Sequence, residues 1–301
     1  MAELVHFPFA FYHENSIKTN FFNKVKQILT SRAVCPEDQG HSIASHVVFK
    51  VREAADSKPR MPCPLRDFLE VLMDMATCIR PDHEWHDIFL DALEILRARP
   101  STINGLSSKN DKRNLWSRLG GFSLEEYERN MRLNRIEGFS NLHETFDIST
   151  EATRKRNFAS FMAWSAAREV ERNPTSWDYH FGIADIRAGL ERDLQEQAIQ
   201  KPFHHLGRST DVWIACNWLN CCADDIYERI VSGKAPPDTL KTKYGLGKLC
   251  PKHIGLVSLD RWYFWKARIA ELCDDISLND PTKTHCRRAL RAMEEAELSG
   301  A

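Results

Sequence analysis

Helical periodicity of the apolar residues extends along almost the whole chain and constrains the fold more than any other feature. Between Leu65 and Ala76, apolar residues recur three and four positions apart, which places them on one face of a helix. The same spacing is present at about residues 17–29, 151–172, 178–200, 209–231, 258–274 and 281–297. No strand-rich region interrupts this pattern. The sequence therefore predicts an all-α protein of about nine or ten helices, arranged in antiparallel pairs.

Proline, glycine and polar residues separate the helical segments. The longest interruption covers residues 232–257 and contains the pair Pro236-Pro237. A break of this length inside a compact chain is typical of a functional or mobile loop. We expect a short N-terminal arm over residues 1–14 and a single all-α domain over residues 15–301, with this loop inside it.

The charge and cysteine content exclude several classes of protein. The 301 residues include 41 Lys and Arg against 42 Asp and Glu, a balance that argues against a nucleic-acid binder. Nine irregularly spaced cysteines, after an N-terminus that carries no basic region, predict reduced thiols in a cytoplasmic protein. No apolar run approaches the ~18 residues that a membrane span needs.

The most specific motif lies near the C-terminus, where residues 258–266 read Ser-Leu-Asp-Arg-Trp-Tyr-Phe-Trp-Lys. This segment resembles the signature of an uncharacterised fungal family, domain of unknown function 3632. Other stretches that fit the layout of that family are residues 63–96, 157–161, 186–191 and 215–218. The resemblance covers most of the chain after about residue 60. It implies a helical fold and a fungal source, and it implies no activity.

Two tryptophans in this motif are candidates for a ligand site. Trp262 and Trp265 are three residues apart, share a helix face and lie beside Arg261. Large aromatic residues at helical spacing mostly pack in the core, so one interpretation is an anchor in which Arg261 pairs with an acid. The alternative is a ligand wall that uses aromatic faces and a cation. Trp218 is a further candidate for such a wall.

An acidic string offers the best candidate for catalysis. Asp224, Asp225 and Glu228 lie three and four residues apart on a predicted helix, where carboxylate oxygens could hold Mg²⁺. The string resembles the aspartate-rich motif of class I terpene cyclases, which are also all-α. The second metal triad of those enzymes is missing from the later part of the chain. His204 and His205 are further catalytic candidates.

Histidine and cysteine clusters offer weaker metal sites. His83 and His86 are three residues apart at a helix start, and Asp87 could join them. Helix capping explains this string without a metal. A mixed zinc site is a second alternative, with the ligands Cys250, His253, His285 and Cys286. We expect no metal or cofactor, with Mg²⁺ as the exception if the acidic string is catalytic.

The sequence leaves two functions in competition. It has no nucleophile elbow, no phosphate loop and no dinucleotide fingerprint, which argues against serine hydrolases, P-loop NTPases and Rossmann dehydrogenases. The first hypothesis is non-catalytic binding of a partner protein or an apolar ligand in a helical groove. The alternative is a nucleotide-independent enzyme of fungal secondary metabolism with an apolar, isoprenoid-like substrate. Asp225 and Glu228 in an enclosed aromatic cavity would favour the enzyme, and exposure to solvent would count against it.

Overall fold

A computed structural model describes residues 17–31, 34–57, 64–81, 83–99, 148–172, 180–192, 204–233 and 244–300. These residues form nine α-helices and contain no strand, so the predicted all-α class is confirmed. The helices are α1 (Ile17–Thr30), α2 (Pro36–Ser57), α3 (Pro64–Ala76), α4 (Trp85–Arg97), α5 (Ile148–Arg172), α6 (His180–Leu190), α7 (His204–Val231), α8 (Leu259–Cys273) and α9 (Asp280–Ser299). The arm predicted over residues 1–14 lies outside the described residues.

The chain divides into two compact units, residues 1–146 and residues 147–301. Helices α1 to α4 belong to the first unit, and α5 to α9 belong to the second. The single domain over residues 15–301 stays a prediction. In the part of the chain that the structure describes, no helix has the length and apolar character needed to cross a membrane.

The first unit is built on the apolar faces of its helices. Helix α1 buries five residues of one stripe, which are Phe21, Phe22, Val25, Ile28 and Leu29. The Phe21 ring lies edge-on to Phe68 of α3, with 5.4 Å between the ring centroids. Gly40 of α2 lies so close to α4 that an added Cβ would be 2.9 Å from the Asp91 Cβ. Glycine therefore sets the close packing of α2 on α4.

Helix α7 is the centre of the second unit, because α5, α6, α8 and α9 all pack against it. Its buried residues include Val212, Ala215 and Leu219. Gly189 of α6 allows a close approach, since a Cβ there would lie 2.4 Å from the Asp211 carbonyl oxygen of α7. The long apolar run of α7 is therefore explained by burial on several sides.

Helix α6 is shorter than the sequence predicts. The periodicity suggests a helix from about residue 178 to about residue 200, whereas α6 ends at Leu190. The carbonyl oxygen of Glu191 accepts a hydrogen bond from the Leu249 N–H, 2.9 Å away. The later loop therefore binds the residue that follows α6, and residues 193–200 of the predicted helix lie outside the part of the chain that the structure describes.

Helices α8 and α9 begin at side-chain caps. The Ser258 hydroxyl accepts a hydrogen bond from the Arg261 N–H at 3.3 Å, and the Asn279 side chain accepts one from the Thr282 N–H at 3.0 Å. Such caps satisfy amide groups that the first helical turn leaves without a partner. The cap at Ser258 fixes where the loop of residues 244–257 ends and so positions Arg261.

Candidate functional site

A buried ion pair lies where α6, α8 and the 244–257 loop meet. The Arg261 Nε donates a hydrogen bond to the Glu191 Oε1 at 2.7 Å. The two side chains are 1% and 0% exposed. An ion pair this deep is stable only when the remaining donors and acceptors of both groups are also satisfied.

The loop supplies most of the remaining hydrogen-bond partners. The Arg261 Nη1 donates to the carbonyl oxygens of Tyr244 at 2.7 Å and Leu256 at 2.6 Å. The Glu191 Oε2 accepts from the Gly247 N–H at 2.6 Å. These bonds fasten both ends of the described loop to one buried charge pair. We call Arg261, Glu191 and their partners the loop anchor.

Trp265 completes the loop anchor. Its Nε1 donates to the Glu191 Oε1 at 2.7 Å, and its ring centroid lies 5.2 Å from the Arg261 Cζ. Trp265 therefore contacts both members of the ion pair, through a hydrogen bond and through a cation–π contact. These contacts match the first interpretation of the motif, an anchor in which Arg261 pairs with an acid.

A shallow cleft opens beside the loop anchor. Arg261 and Trp265 form part of its wall, and its apolar lining includes Ile183, Ile226, Ile230, Leu256 and Val257. We call this feature the α7–α8 cleft. Its cavity volume is about 20 Å³, room for about one water molecule. Pockets for small organic molecules are usually about 300–1,000 Å³.

Exposed apolar side chains flank the α7–α8 cleft. Val231 is 51% exposed and follows the lining residue Ile230. Leu259 is 39% exposed and follows the lining residue Ser258, while Tyr263, 49% exposed, lies one helical turn further along α8. Exposed apolar residues are therefore sequence neighbours of lining residues on both α7 and α8.

The other two tryptophan candidates do not line the cleft. Trp262 is fully buried and donates from its Nε1 to the Glu297 Oε1 at 2.9 Å. Burial would raise the pKa of Glu297, but the hydrogen bonds from Lys266 and Trp262 outweigh it and lower that pKa. Trp218 is also fully buried and donates to the Asp185 Oδ2 at 2.9 Å. Both tryptophans join helices of the second unit.

The three acids of the string are not among the lining residues of the cleft. Asp224 and Glu228 are exposed, and Asp225 is half-buried. None of these three residues lines the α7–α8 cleft, so they do not meet the enclosed aromatic cavity that the enzyme hypothesis requires. Among the described residues, no three His, Cys, Asp or Glu side chains come together in a group able to hold a metal ion. His204 and His205 begin α7, but their side chains lie outside the described part of the chain.

The two histidines at the start of α4 are engaged with the backbone. The Trp85 N–H donates to the His83 Nδ1 at 3.2 Å, and the His86 Nε2 lies 3.3 Å from the Ile79 carbonyl oxygen. The residue at the helix cap is Glu84, whose side chain makes no capping hydrogen bond. His83 therefore accepts a hydrogen bond from the first residue of α4, and the capping role predicted for Asp82 falls on a residue outside the described part of the chain.

The cysteines of the mixed zinc alternative have separate neighbours. The Cys216 Sγ of α7 donates to the Cys286 Sγ of α9 at 3.6 Å. Cys250 belongs to the loop beside the anchor, where burial and the charge of Glu191 raise the pKa of its thiol. Of the four candidate zinc ligands, Cys286 therefore has Cys216 as its neighbour, and Cys250 has Glu191.

Sequence reasoning missed Glu191 as the partner of Arg261. The stretch of residues 186–191 fits the family layout, but nothing in its spacing identifies which acid faces the arginine. It also missed a cluster around Trp213, described below, because that cluster joins three helices far apart in sequence. A charged residue directly after an apolar helix face was the only available signal for Glu191.

The fold and this site define an all-α protein whose most specific motif builds a buried loop anchor. A model of the family described as proteins of unknown function (DUF3632) matches residues 70–269, more than half of the chain. The chain therefore belongs to that family. No curated protein and no solved structure matches it.

Proposed function

We propose that this protein is a non-catalytic helical binding protein, and that the α7–α8 cleft receives an apolar side chain of a partner protein. The observation that carries this proposal is the exposed apolar surface on both sides of the cleft, at Val231, Leu259 and Tyr263. Contiguous exposed apolar surface is typical of interaction sites.

The size of the cleft favours a protein partner over a small apolar ligand. A volume of about 20 Å³ does not enclose an isoprenoid chain. It does suit the tip of one side chain, with the rest of the contact made by the flanking surface. Interfaces of this kind gain most of their affinity from a few anchored side chains.

The loop anchor supports this function by holding the cleft in shape. The residues Leu256 and Val257 line the cleft, and the Leu256 carbonyl oxygen is bound by Arg261. A site that is rigid before binding loses less conformational entropy when the partner arrives. The motif that the sequence suggested as a ligand wall therefore acts mainly by positioning the loop.

The setting of the protein is part of the same proposal. The cysteines in the part of the chain that the structure describes form no disulfide, which supports a cytoplasmic location, and the balanced charge supports a partner other than nucleic acid. The family resemblance supports a fungal source. An enzyme of secondary metabolism with Mg²⁺ gains no support from the exposed positions of Asp224 and Glu228.

Selection of a phage-displayed peptide library on the full chain tests the cleft. We expect selected peptides with an apolar anchor residue to bind at least tenfold more weakly to Leu259→Asp. Leu298→Asp is the matched control, because Leu298 is an exposed leucine of α9 that does not line the cleft. Unchanged binding to Leu259→Asp, or equal losses in both variants, would contradict the proposal.

A thermal-shift series with Mg²⁺ and an isoprenoid diphosphate tests the enzyme alternative. Our proposal predicts that Asp225→Asn leaves the response to these ligands unchanged. A metal-dependent rise in melting temperature that Asp225→Asn abolishes would instead favour catalysis at the acidic string.

A further inference from the structure

Three helices of the second unit converge on the indole of Trp213. Arg156 of α5 places its Cζ 5.8 Å from the ring centroid. His285 of α9 lies against the same indole, with 4.3 Å between the ring centroids and 54° between the ring planes. Arg288 follows His285 by one helical turn. We call Arg156, Trp213, His285 and Arg288 the Trp213 cluster.

Polar atoms in this cluster are buried and lack hydrogen-bond partners within the described protein. The Arg156 Nε and the His285 Nδ1 are both in this state. Arg156 Nε is always a donor, and His285 Nδ1 is a donor when the imidazole is protonated. A buried donor without a hydrogen-bond partner lowers the free energy of unfolding unless an acceptor binds it.

Donor groups continue along the contact between α5 and α7. Ser160 lies four residues after Arg156, and Asn217 lies four residues after Trp213, so each shares a helix face with a cluster residue. Both side chains are buried, and the Ser160 Oγ and the Asn217 Nδ2 have no hydrogen-bond partner in the described protein. The interior next to the cluster therefore holds further groups able to donate to an acceptor.

The electrostatic environment of the cluster is cationic. Burial lowers the pKa of Arg156. Burial, and then the charges of Arg288 and Arg156, lower the pKa of His285 from its ordinary value of 6.5 to about 4. The two charged groups that lower the pKa of His285 are thus both arginines, one from α5 and one from α9. Positive groups gathered at a partly buried site favour an anion.

We propose that the Trp213 cluster is a binding site for a phosphoryl group, as inorganic phosphate or as the monoester of a small molecule. Two guanidinium groups offer the planar donor pairs that bind phosphate oxygens well. A protonated His285 adds a third positive charge, which suits a dianion better than a single carboxylate. None of the four residues lines the α7–α8 cleft, so this site is additional to the proposed function.

Binding of a dianion changes the protonation of His285. A bound dianion next to His285 favours the imidazolium form, so it raises the pKa of His285. The two arginines oppose this change when the site holds no anion. Phosphate binding near neutral pH, where the dianion is present, should therefore be coupled to uptake of a proton by His285.

The test is isothermal titration of the full chain with potassium phosphate, at an ionic strength held constant with potassium chloride. We expect saturable binding that is at least tenfold weaker in Arg288→Gln and in Arg156→Gln. Arg287→Gln is the matched control, because Arg287 is the exposed neighbour of Arg288 and its substitution changes the net charge by the same amount. A parallel titration with glycerol 3-phosphate distinguishes a monoester from inorganic phosphate as the preferred ligand.

Two results would overturn the proposal. One is the absence of saturable binding of either compound above the chloride background. The other is an equal loss of affinity in Arg287→Gln and Arg288→Gln, which would show that net charge alone attracts the anion. Arg288 is exposed, so its substitution leaves the fold intact even if Arg156→Gln does not. NMR titration of His285 gives an independent readout, since phosphate should raise its pKa and chloride should not.

Discussion

Two arginines of the second unit lie against tryptophan rings, and they differ in the charge that faces them. The Arg261 Cζ is 5.2 Å from the Trp265 ring centroid, and the Arg156 Cζ is 5.8 Å from that of Trp213. Arg261 meets the carboxylate of Glu191, whereas the Trp213 cluster places a histidine and a second arginine near Arg156. Similar cation–π geometry therefore occurs in opposite electrostatic settings.

The difference separates a structural site from a binding site. In the loop anchor, four hydrogen bonds from the Arg261 guanidinium end on Glu191, Tyr244, Leu256 and Gly245, so little capacity remains for a ligand. In the Trp213 cluster, buried donors remain available. The amount of unused hydrogen-bonding capacity, rather than the presence of an arginine and a tryptophan, distinguishes the two regions.

The largest effect is expected from Glu191→Gln. This change keeps the size of the side chain but leaves the buried Arg261 without a countercharge. Removing one member of a buried ion pair costs about 3–5 kcal/mol in the free energy of unfolding. Urea denaturation followed by tryptophan fluorescence measures this loss.

Glu228→Gln is the matched control, and because Glu228 is exposed we expect a change within about 0.5 kcal/mol. Similar values for both variants would contradict a structural role for the loop anchor.

A smaller effect is expected from Gly247→Ala. A Cβ at residue 247 would lie 2.4 Å from the Glu191 Cβ and 2.5 Å from the Glu191 carbonyl oxygen. Overpacking of this kind costs about 1–3 kcal/mol. Gly255→Ala serves as a control in the same loop, because its nearest contact is 3.2 Å, to the Ser258 Cβ. Equal melting temperatures for the two variants would mean that the loop is not held tightly against Glu191.

The smallest effect at neutral pH concerns the Trp213 cluster, because this effect appears only in acid. The pKa of His285 is about 4 in the folded chain and ordinarily 6.5, so the unfolded chain binds more protons between these values. His285 therefore contributes stability that is complete above about pH 6.5 and is lost as the pH falls toward 4. In His285→Gln, we expect a shallower rise of stability with pH across this window. An identical pH dependence would show that burial and the neighbouring arginines do not lower the pKa of His285.

The sequence predicted the fold class because helical spacing is a local property. The buried stripes of α1 and α3 both follow from residues three or four positions apart. It also predicted that Arg261 could pair with an acid beside Trp265. It did not predict the end of α6 at Leu190, because the hydrogen bond to the carbonyl oxygen of the next residue, Glu191, comes from Leu249.

The candidate sites were harder to predict because their geometry depends on tertiary contacts. The acidic string has good helical spacing, yet Asp224 and Glu228 face solvent. Spacing places side chains on one face of a helix and does not specify what that face meets. The Trp213 cluster shows the converse, since Arg156 and His285 belong to different helices and share no motif. Only the packing of α5, α7 and α9 brings them together.

Urea unfolding of Arg261→Gln and Arg156→Gln, with and without phosphate, tests the contrast between the two arginines most directly. Without phosphate, we predict that Arg261→Gln lowers the free energy of unfolding by about 3–5 kcal/mol. Arg156→Gln should change it by no more than about 2 kcal/mol, the value of a cation–π contact that is largely removed from water. Added phosphate should stabilise Arg261→Gln and leave Arg156→Gln unaffected. Equal losses in the two variants without phosphate, or equal stabilisation of both by phosphate, would contradict the account.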